Sequence, residues 1–353
     1  MERYDLDRYI LPVWQGDTVY FETVLFVGET DSAPLLYPIK EIIGVYNYGL
    51  QIEYKHGVDY EIRDGKIYRL KGGNMPYMPI DEYYLEEQAQ YAIGIVNRKE
   101  KAPEGKKFFS FGEKDSYSKY QIAVSYRHDG KNHIESPKGK SDKLKNFITK
   151  LKKGKADVVF YGDSITTGCN MSGTPQGGET APYAEKFSVM VCRALQEKFN
   201  AVVGHRNTAV GGWSTVEGLN AFDEKVTNLP SDLMVLGFGM NDGHAEPKDY
   251  LDRTEQMVKL FKEKNPDGEV VLIATTLPNT ESDWVRNHPL FAAELYKLEQ
   301  KYPFVAVADM TDMHQKLLNT GKRYRDMTGN NVNHPNDFLG RIYAQVILKT
   351  ILG

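Results

Sequence analysis

The sequence predicts two domains of different class, an all-β sandwich of jelly-roll type over residues 1–136 and a three-layer α/β/α domain with a parallel sheet over residues 137–353. At 353 residues the chain exceeds the usual size of a single core, so two domains are expected. Apolar residues alternate with period two in the first part, whereas continuous apolar runs alternate with amphipathic segments in the second. The change falls at "ESPKGKSDKLKNFITKLKKGK", where Pro137 and Gly139 punctuate a linker.

The first part carries the pattern of half-buried strands. Polar and apolar residues alternate in "TVYFETVLFV" at 18–27 and in "YQIAVSYRH" at 120–128. In "DYEIRDGKIYRL", the pair Asp64-Gly65 between two short alternating runs predicts a hairpin. Sixteen of the 23 tyrosines lie before residue 137, and tyrosine favours strands. These features predict the all-β domain.

The second part opens with a predicted helix. Ser141 is its candidate N-cap. Apolar residues then recur at helical spacing, at Leu144, Phe147, Ile148 and Leu151. The lysines between them are typical of a solvated helix face.

Apolar runs and helical segments then alternate to the end of the chain. The runs "ADVVFYG", "DLMVLGFG", "EVVLIATTLP" and "FVAVADM" are typical of buried strands, and helices are predicted around 181–199, 249–264 and 337–351. Strands of this kind, separated by helices, form a parallel sheet covered on both faces. Functional sites in such folds lie beyond the carboxyl ends of the strands.

Composition and charge exclude several function classes. The net charge is −4, the isoelectric point is near 6.1, and there is no long basic run, so neither nucleic acid nor anionic membrane is an expected partner. The start "MERYDLDRYILPVW" lacks a signal-peptide pattern, and no run approaches the ~18 apolar residues of a membrane span, so a cytoplasmic location is expected. Cys169 and Cys192 are expected to be reduced and structural. The eight histidines show no metal-ligand spacing, so neither a metal nor another cofactor is expected.

Four segments at strand ends or in loops carry candidate site residues. In "FYGDSITTG", Ser164 lies at a strand-to-helix turn, where its hydroxyl is either an exposed nucleophile or a helix cap. Gly211 and Gly212 in "NTAVGGWST" permit close approach of the backbone to a ligand, and are also ordinary turn residues. "GFGMND" contains Asn241, and its glycine spacing departs from that of a dinucleotide-binding loop. The last segment, "TGNNVNHPNDFLG", contains His334.

This constellation resembles the SGNH hydrolases, also called GDSL esterases. "GDSIT" matches their first block, "NTAVGGWST" their glycine block, "GMND" their G-x-N-D block and "NHP" the end of their D-x-x-H-P block. The resemblance covers the chain from about residue 150 onward and implies a flavodoxin-like α/β/α fold. It implies Ser164 as nucleophile, His334 as base, and an oxyanion hole. The implied donors of that hole are the N–H groups of Ser164 and Gly212 and the side-chain amide of Asn241. Three donors around one oxygen stabilise a tetrahedral intermediate.

The group that orients His334 is left open by the sequence. Members of the family usually carry an aspartate three residues before this histidine, where the chain has Asn331. An asparagine oxygen accepts a ring N–H but supplies no negative charge. Substitute carboxylates are Asp309, Asp326 and Asp337, although Asp337 is also a candidate cap of the final helix. We therefore expect a Ser-His dyad whose imidazole is held by a backbone carbonyl or by Asn331.

A β-domain ahead of the catalytic domain resembles the arrangement in two-domain carbohydrate acetylesterases, including carbohydrate esterase family 2. This architecture implies O-acetyl groups on sugars, in small molecules or oligosaccharides, as the substrate. Four loop side chains are candidates for sugar contact, namely Trp213, Trp284, Arg286 and His288. The alternatives are a lipid or thioester hydrolase of the same superfamily and, from another class, a catalytically inactive glycan-binding protein.

Overall fold

A computed structural model describes residues 4–96, 102–131 and 133–353 of the chain. The strands of the first part are β1 (Thr18–Leu25), β2 (Ser32–Pro34), β3 (Glu41–Asn47), β4 (Tyr60–Arg63), β5 (Lys66–Arg69), β6 (Tyr84–Leu85), β7 (Ala92–Gly94), β8 (Phe108–Ser110) and β9 (Gln121–Arg127). They form three antiparallel sheets with the orders β1-β9-β3, β2-β5-β4 and β6-β8-β7.

The all-β character predicted for the first part is confirmed. Strands β1 and β9 lie within the two alternating stretches, and β4 and β5 form the predicted hairpin. Its turn residues Asp64 and Gly65 have φ of 49° and 72°, the left-handed values that a two-residue hairpin turn of type I′ requires. The jelly-roll arrangement is not confirmed, because the described strands divide among three short sheets.

The second part contains one parallel sheet with helices. Its strands are β10 (Lys155–Gly162), β11 (Val202–Asn207), β12 (Leu233–Gly237), β13 (Glu269–Ala274) and β14 (Val305–Asp309). The helices of the chain are α1 (Leu6–Ile10), α2 (Ile80–Tyr83), α3 (Lys145–Lys152), α4 (Ser164–Thr167), α5 (Phe187–Phe199), α6 (Thr215–Asn220), α7 (Pro247–Lys264), α8 (His288–Lys301), α9 (Met310–Asn319) and α10 (Asp337–Leu352). Within the described ranges, no helix combines the length and the apolar character needed to cross a membrane.

The predicted three-layer α/β/α architecture is confirmed. The sheet order is β11-β10-β12-β13-β14, and every neighbouring pair is parallel. Successive side chains of β10 point to opposite faces of the sheet. Phe160 joins the apolar cluster that contains Ile342 of α10, whereas Tyr161 joins the cluster that contains Met257 of α7. Helices therefore cover both faces, and the strand ends are left to form a site.

The first helix of this part begins later than the sequence indicates. Ser141 starts a short 3₁₀ turn, Ser141–Lys143, and α3 follows with Leu144 at its N-cap position. The backbone N–H of Lys140 donates to the carbonyl of Thr350 in α10 at 2.9 Å. This tertiary contact fixes the chain immediately before the turn, so the helix starts only beyond it.

One apolar core joins the two parts of the chain. Val24 of β1 and Val124 of β9 are buried in the same cluster as Ile342 of α10. The β1-β9-β3 sheet thus packs on the helical layer that covers the parallel sheet. The division into domains 1–136 and 137–353 stays a prediction.

A buried ion pair also links the two parts. Nζ of Lys322 lies 2.6 Å from Oε1 of Glu22 on β1, and both side chains are fully buried. The ammonium also donates to the carbonyl of Thr23 at 2.6 Å, and Glu22 accepts from the hydroxyl of Tyr126 and the backbone N–H of Leu36. Because these hydrogen bonds accompany the pair, neither charge is left without compensation.

Removing the lysine charge should destabilise the protein strongly. We expect Lys322→Met to lower the free energy of unfolding by ~3–5 kcal/mol, because Glu22 remains as an uncompensated buried charge. Urea denaturation followed by far-UV circular dichroism measures the change. The matched control is Lys297→Met, which removes an exposed lysine paired with Glu294 and should change the value by less than ~1 kcal/mol. Equal effects of the two substitutions would contradict a structural role for the buried pair.

Candidate active site

The turn after β10 presents Ser164. The strand ends at Gly162, and Asp163 is the N-cap of α4, its Oδ1 accepting from the backbone N–H of Ile165 at 2.9 Å. The interpretation of Ser164 as a helix cap is therefore wrong, because the residue before it performs that role. Burial raises the pKa of Asp163 to about 7. The hydroxyl of Ser164 is left to face the carboxyl edge of the sheet.

Ser164 and His334 form a hydrogen-bonded pair. Oγ of Ser164 lies 2.9 Å from Nε2 of His334, although the two residues are 170 positions apart in the chain. Only 6% of Ser164 and 9% of His334 is exposed. The structure thus places the two residues that the motifs singled out at the distance required between a nucleophile and its base.

The other ring nitrogen of His334 faces Asn170. Oδ1 of Asn170 lies 2.7 Å from Nδ1 of His334. The amide Nδ2 of Asn170 donates to the carbonyls of Lys114, at 3.2 Å, and Gly329, at 3.4 Å, so its oxygen is the atom that faces the ring. This network assigns the proton of the neutral imidazole to Nδ1 and leaves the lone pair of Nε2 directed at Ser164.

A carboxylate from the first part of the chain also reaches Nδ1. Oε2 of Glu113, in the loop after β8, lies 3.2 Å from Nδ1 of His334, and Oε1 accepts from Nδ2 of Asn330 at 3.1 Å. Burial alone would raise the pKa of Glu113, but the hydrogen bonds and the attraction of His334 outweigh it and hold the pKa below its ordinary value. Glu113 is therefore ionised at neutral pH. Neither Glu113 nor Asn170 was among the residues that the sequence pointed to.

Asn331 does not orient His334, which corrects the expectation from the sequence. Its Nδ2 donates to the carbonyl of Ser110 at 3.1 Å, and Asn279 donates to its backbone carbonyl at 3.0 Å. Asn331 is fully buried and has a left-handed backbone, with a φ of 66°, and its hydrogen bond to Ser110 shows that its side chain faces β8. The acceptor that faces Nδ1 is neither Asn331 nor a backbone carbonyl, but the side-chain oxygen of Asn170.

The three substitute carboxylates lie elsewhere. Asp309 caps α9, and Asp326 forms an ion pair with Arg323 at 3.0 Å. Asp337 accepts from the N–H and the hydroxyl of Ser172. It is the first residue of α10 and not its cap, because the preceding asparagine supplies the capping oxygen. Hydrogen bonds thus hold each of these carboxylates at a partner other than His334.

Asn330 shapes the loop that carries the histidine. Its Oδ1 accepts from the backbone N–H groups of Val332, Asn333 and His334, each at 3.0 Å. One side chain thus accepts hydrogen bonds from three successive backbone N–H groups, which lie in a loop and have no partner in a strand or helix. The run of asparagines in "TGNNVNHPN" was the signal for such a loop, but the sequence did not show which asparagine would close it.

The predicted oxyanion donors surround the same cavity as the serine. Ser164, Gly212 and Asn241 all line it. Gly212 has a φ of 80°, which favours glycine because a side chain at that φ is strained. Nδ2 of Asn241 donates to the carbonyl of Trp213 at 2.9 Å, which turns the nitrogen end of the amide towards the glycine loop. The arrangement can stabilise negative charge on an oxygen attached to the carbon that Ser164 attacks.

The cavity has a volume of about 460 Å³. Of the four candidate sugar contacts, Trp284 lines it. Trp213 packs against the core under α7, Arg286 bonds to an exposed histidine ring, and His288 is buried with Nε2 at 2.9 Å from a backbone carbonyl. Those three side chains are absent from the lining formed by the described residues. A larger cavity, of about 750 Å³, lies beside the end of α10 and contains neither Ser164 nor His334.

Metal-ligating side chains do not gather in the described part of the chain, where no group of three or more His, Cys, Asp or Glu residues is placed to hold an ion.

Comparison with solved structures returns esterases of low sequence identity. A two-domain esterase (CEX) active on acetylated mannans is 19% identical with a TM-score of 0.48, over 59% of this chain and 52% of that one. Axe2, an acetylxylan esterase from Geobacillus stearothermophilus, is 18% identical with a TM-score of 0.47, over 57% of this chain and 97% of that one. The acetyl xylan esterase AlAXEase is 17% identical with a TM-score of 0.44, over 54% and 97%. The chain thus spans about half the length of the two-domain esterase.

Comparison at the level of sequence places the chain in a family. No curated protein matches it significantly. The sequence pattern of the GDSL-like Lipase/Acylhydrolase family matches residues 160–338, just over half of the 353 residues. The matched range begins in β10 and ends in α10, so it includes both Ser164 and His334. The resemblance seen in the four motifs is confirmed, and the chain belongs to the GDSL-like lipase/acylhydrolase family of ester hydrolases.

Proposed function

We propose that this protein hydrolyses short acyl esters, in particular O-acetyl groups on carbohydrates. The observation that carries the proposal is the 2.9 Å contact between Oγ of Ser164 and Nε2 of His334 on the wall of a cavity that Gly212 and Asn241 also line. Nucleophile, base and oxyanion donors therefore face one space. Cavities of ~300–1,000 Å³ hold small ligands, and this one, at about 460 Å³, falls within that range.

In the proposed reaction, Ser164 acts as nucleophile and His334 as base and acid, in two steps. Oγ of Ser164 attacks the ester carbon while its proton passes to Nε2 of His334. The N–H groups of Ser164 and Gly212 and the amide of Asn241 bind the oxyanion that forms. Nε2 then gives the proton to the departing sugar oxygen, which leaves as a hydroxyl and leaves the acyl group on Ser164. In the second step His334 takes a proton from a water molecule that attacks the acyl carbon, and passes it to Oγ of Ser164 as the carboxylic acid leaves.

Side chains around the cavity support a carbohydrate substrate. Trp284 and Phe111 offer aromatic surface, and Gln176 and Asn333 offer amide groups. Aromatic faces with hydrogen-bonding groups at their edges suit the alternating apolar and hydroxyl surfaces of a sugar. We propose an acetylated small molecule or oligosaccharide as the substrate. The cytoplasmic location predicted from the sequence stays a prediction.

Acetate release from a panel of acetylated oligosaccharides, set beside acetyl, octanoyl and palmitoyl esters of p-nitrophenol, tests the substrate class. We expect acetate release and a preference for the acetyl ester. Highest activity on the palmitoyl ester would indicate a lipid hydrolase, and thioester cleavage without ester cleavage would indicate a thioesterase. Binding of oligosaccharides without turnover of any ester would indicate a glycan-binding protein.

Ser164→Ala and His334→Ala should each abolish nearly all turnover, because a nucleophile and its base act as a unit. We expect losses of ~10⁴-fold or more in kcat on p-nitrophenyl acetate. A serine-directed phosphonate should label Ser164, as peptide mass mapping of the inactivated protein would show. Cys169 should remain unlabelled, because burial raises the pKa of its thiol and disfavours the thiolate. Full activity of Ser164→Ala would refute the proposed chemistry.

Trp284→Ala should affect the oligosaccharide more than the small ester. We expect KM for an acetylated oligosaccharide to rise ~5-fold or more, because an aromatic contact contributes roughly 1 kcal/mol, while KM for p-nitrophenyl acetate changes little. The matched control is Trp213→Phe, which changes a tryptophan that lies outside the cavity lining. A similar rise in KM for both substrates would argue against a sugar platform at Trp284.

A further inference from the structure

We propose that Glu113 is the positioning carboxylate of His334 and that the protein works through a Ser164–His334–Glu113 triad assembled from both parts of the chain. The inference rests on the proposed function and deepens it, because it names the group that acts through the base. It replaces the expectation of a dyad held only by neutral acceptors.

The carboxylate of Glu113 is held in position by the loop that it serves. One oxygen faces Nδ1 of His334 at 3.2 Å, and the other accepts from Asn330 at 3.1 Å. The backbone N–H of Gly112 donates to the carbonyl of Asn330 at 3.4 Å, and the N–H and hydroxyl of Ser116 donate to the carbonyl of Glu113 at 3.3 and 2.6 Å. Backbone and side chain are both fixed, so the carboxylate stays aimed at the imidazole.

Asn170 and Glu113 each perform one of the two roles of a triad acid, which are to fix the tautomer and to supply a negative charge. Asn170 makes the shorter contact, 2.7 Å, and fixes the tautomer of His334. It carries no charge, so it does not stabilise the imidazolium that forms when Nε2 takes the proton of Ser164. Glu113 supplies the negative charge. During that step the proton on Nδ1 stays on the ring, and Glu113 stays ionised.

The charge of Glu113 should have a moderate effect. About half of its side chain, 51%, is exposed to solvent, which weakens its attraction for the imidazolium. Its hydrogen-bond distance is also longer than that of Asn170. A triad acid in a closed site contributes ~10⁴-fold to kcat, much of it by holding the tautomer, and here that part belongs to Asn170. We therefore expect a contribution of ~10-fold from the charge, which is the order of a charge-assisted hydrogen bond compared with a neutral one.

Other ionisable groups near the imidazole do not replace Glu113. Asp163 precedes the serine and interacts electrostatically with His334, but burial raises its pKa to about 7, so that it is partly protonated at neutral pH. Lys114 and Cys169 line the cavity and supply no negative charge near neutral pH, the thiol because burial raises its pKa. All three groups remain in a variant of Glu113, so a difference between that variant and the unmodified protein reports on Glu113.

The first experiment measures kcat and KM of Glu113→Gln on p-nitrophenyl acetate at neutral pH. We expect kcat to fall ~10-fold with little change in KM, because the interaction is made to the base and not to the substrate. The matched control is Asp115→Asn, which removes an exposed carboxylate two residues along the same loop and should alter neither kcat nor KM.

A second experiment separates positioning from folding. Glu113→Ala should leave space beside Nδ1, and added sodium formate should restore kcat several-fold in a saturable manner. Sodium chloride at equal ionic strength, and formate added to Asp115→Asn, should have no such effect. A loss in Glu113→Gln that appears only in KM, or the absence of any rescue of Glu113→Ala by formate, would overturn the inference. If Ser164→Ala is inactive in the same assay, such a result removes the role of Glu113 and leaves the proposed esterase function intact.

Discussion

The position of His334 depends on the docking of its loop, residues 322–336, against the β1-β9-β3 sheet. The loop begins at the buried ion pair between Lys322 and Glu22. Four residues later, Oδ1 of Asp326 accepts from the backbone N–H of Leu25 at 2.8 Å. Both partners, Glu22 and Leu25, lie on β1, so the strand fixes the first turn of the loop. His334, the proposed base, is thus placed by an antiparallel sheet from the first part of the chain.

The same sheet fixes the other end of the loop through β9. Nε2 of Gln121 donates to the carbonyls of Arg325, at 3.1 Å, and Thr328, at 2.8 Å, while its oxygen accepts from Asn336 at 3.0 Å. These polar groups are buried, and leaving one unsatisfied costs roughly 1–3 kcal/mol, so a loop without regular structure is stable only where such partners exist. Asn336 also caps α10. The docking therefore fixes the start of the last helix as well as the histidine before it.

Local patterns predicted the parts of this structure that depend on local physics. Period-two alternation marked β1 and β9, and the need for left-handed backbone at Asp64 and Gly65 marked a hairpin turn. The four motifs pointed to Ser164 and His334, and the strand-to-helix turn marked the position of the serine. Glu113, 221 residues from its partner in the chain, left no such signal. Its role depends on how two irregular loops meet, and neither periodicity nor spacing encodes that meeting. For the same reason, the sequence did not predict where α3 begins. Ser141 is a favoured N-cap residue, but the tertiary contact with α10 places the start of the helix beyond it.

The position of Glu113 depends on Asn331. Nδ2 of Asn331 donates to the carbonyl of Ser110, the last residue of β8, and Glu113 follows three residues later. An aspartate at position 331 has no N–H to donate, and its charge would face that carbonyl in a fully buried place, at a high desolvation cost. Asn331 occupies the position where members of the family usually carry the aspartate. Here its hydrogen bond holds the end of β8 against the loop that carries His334. Because β8 is anchored there, the next turn of the chain brings the carboxylate of Glu113 to Nδ1, and this side chain is half exposed, so the ionised group keeps part of its hydration. A negative charge beside Nδ1 stabilises the imidazolium whichever segment of the chain supplies it.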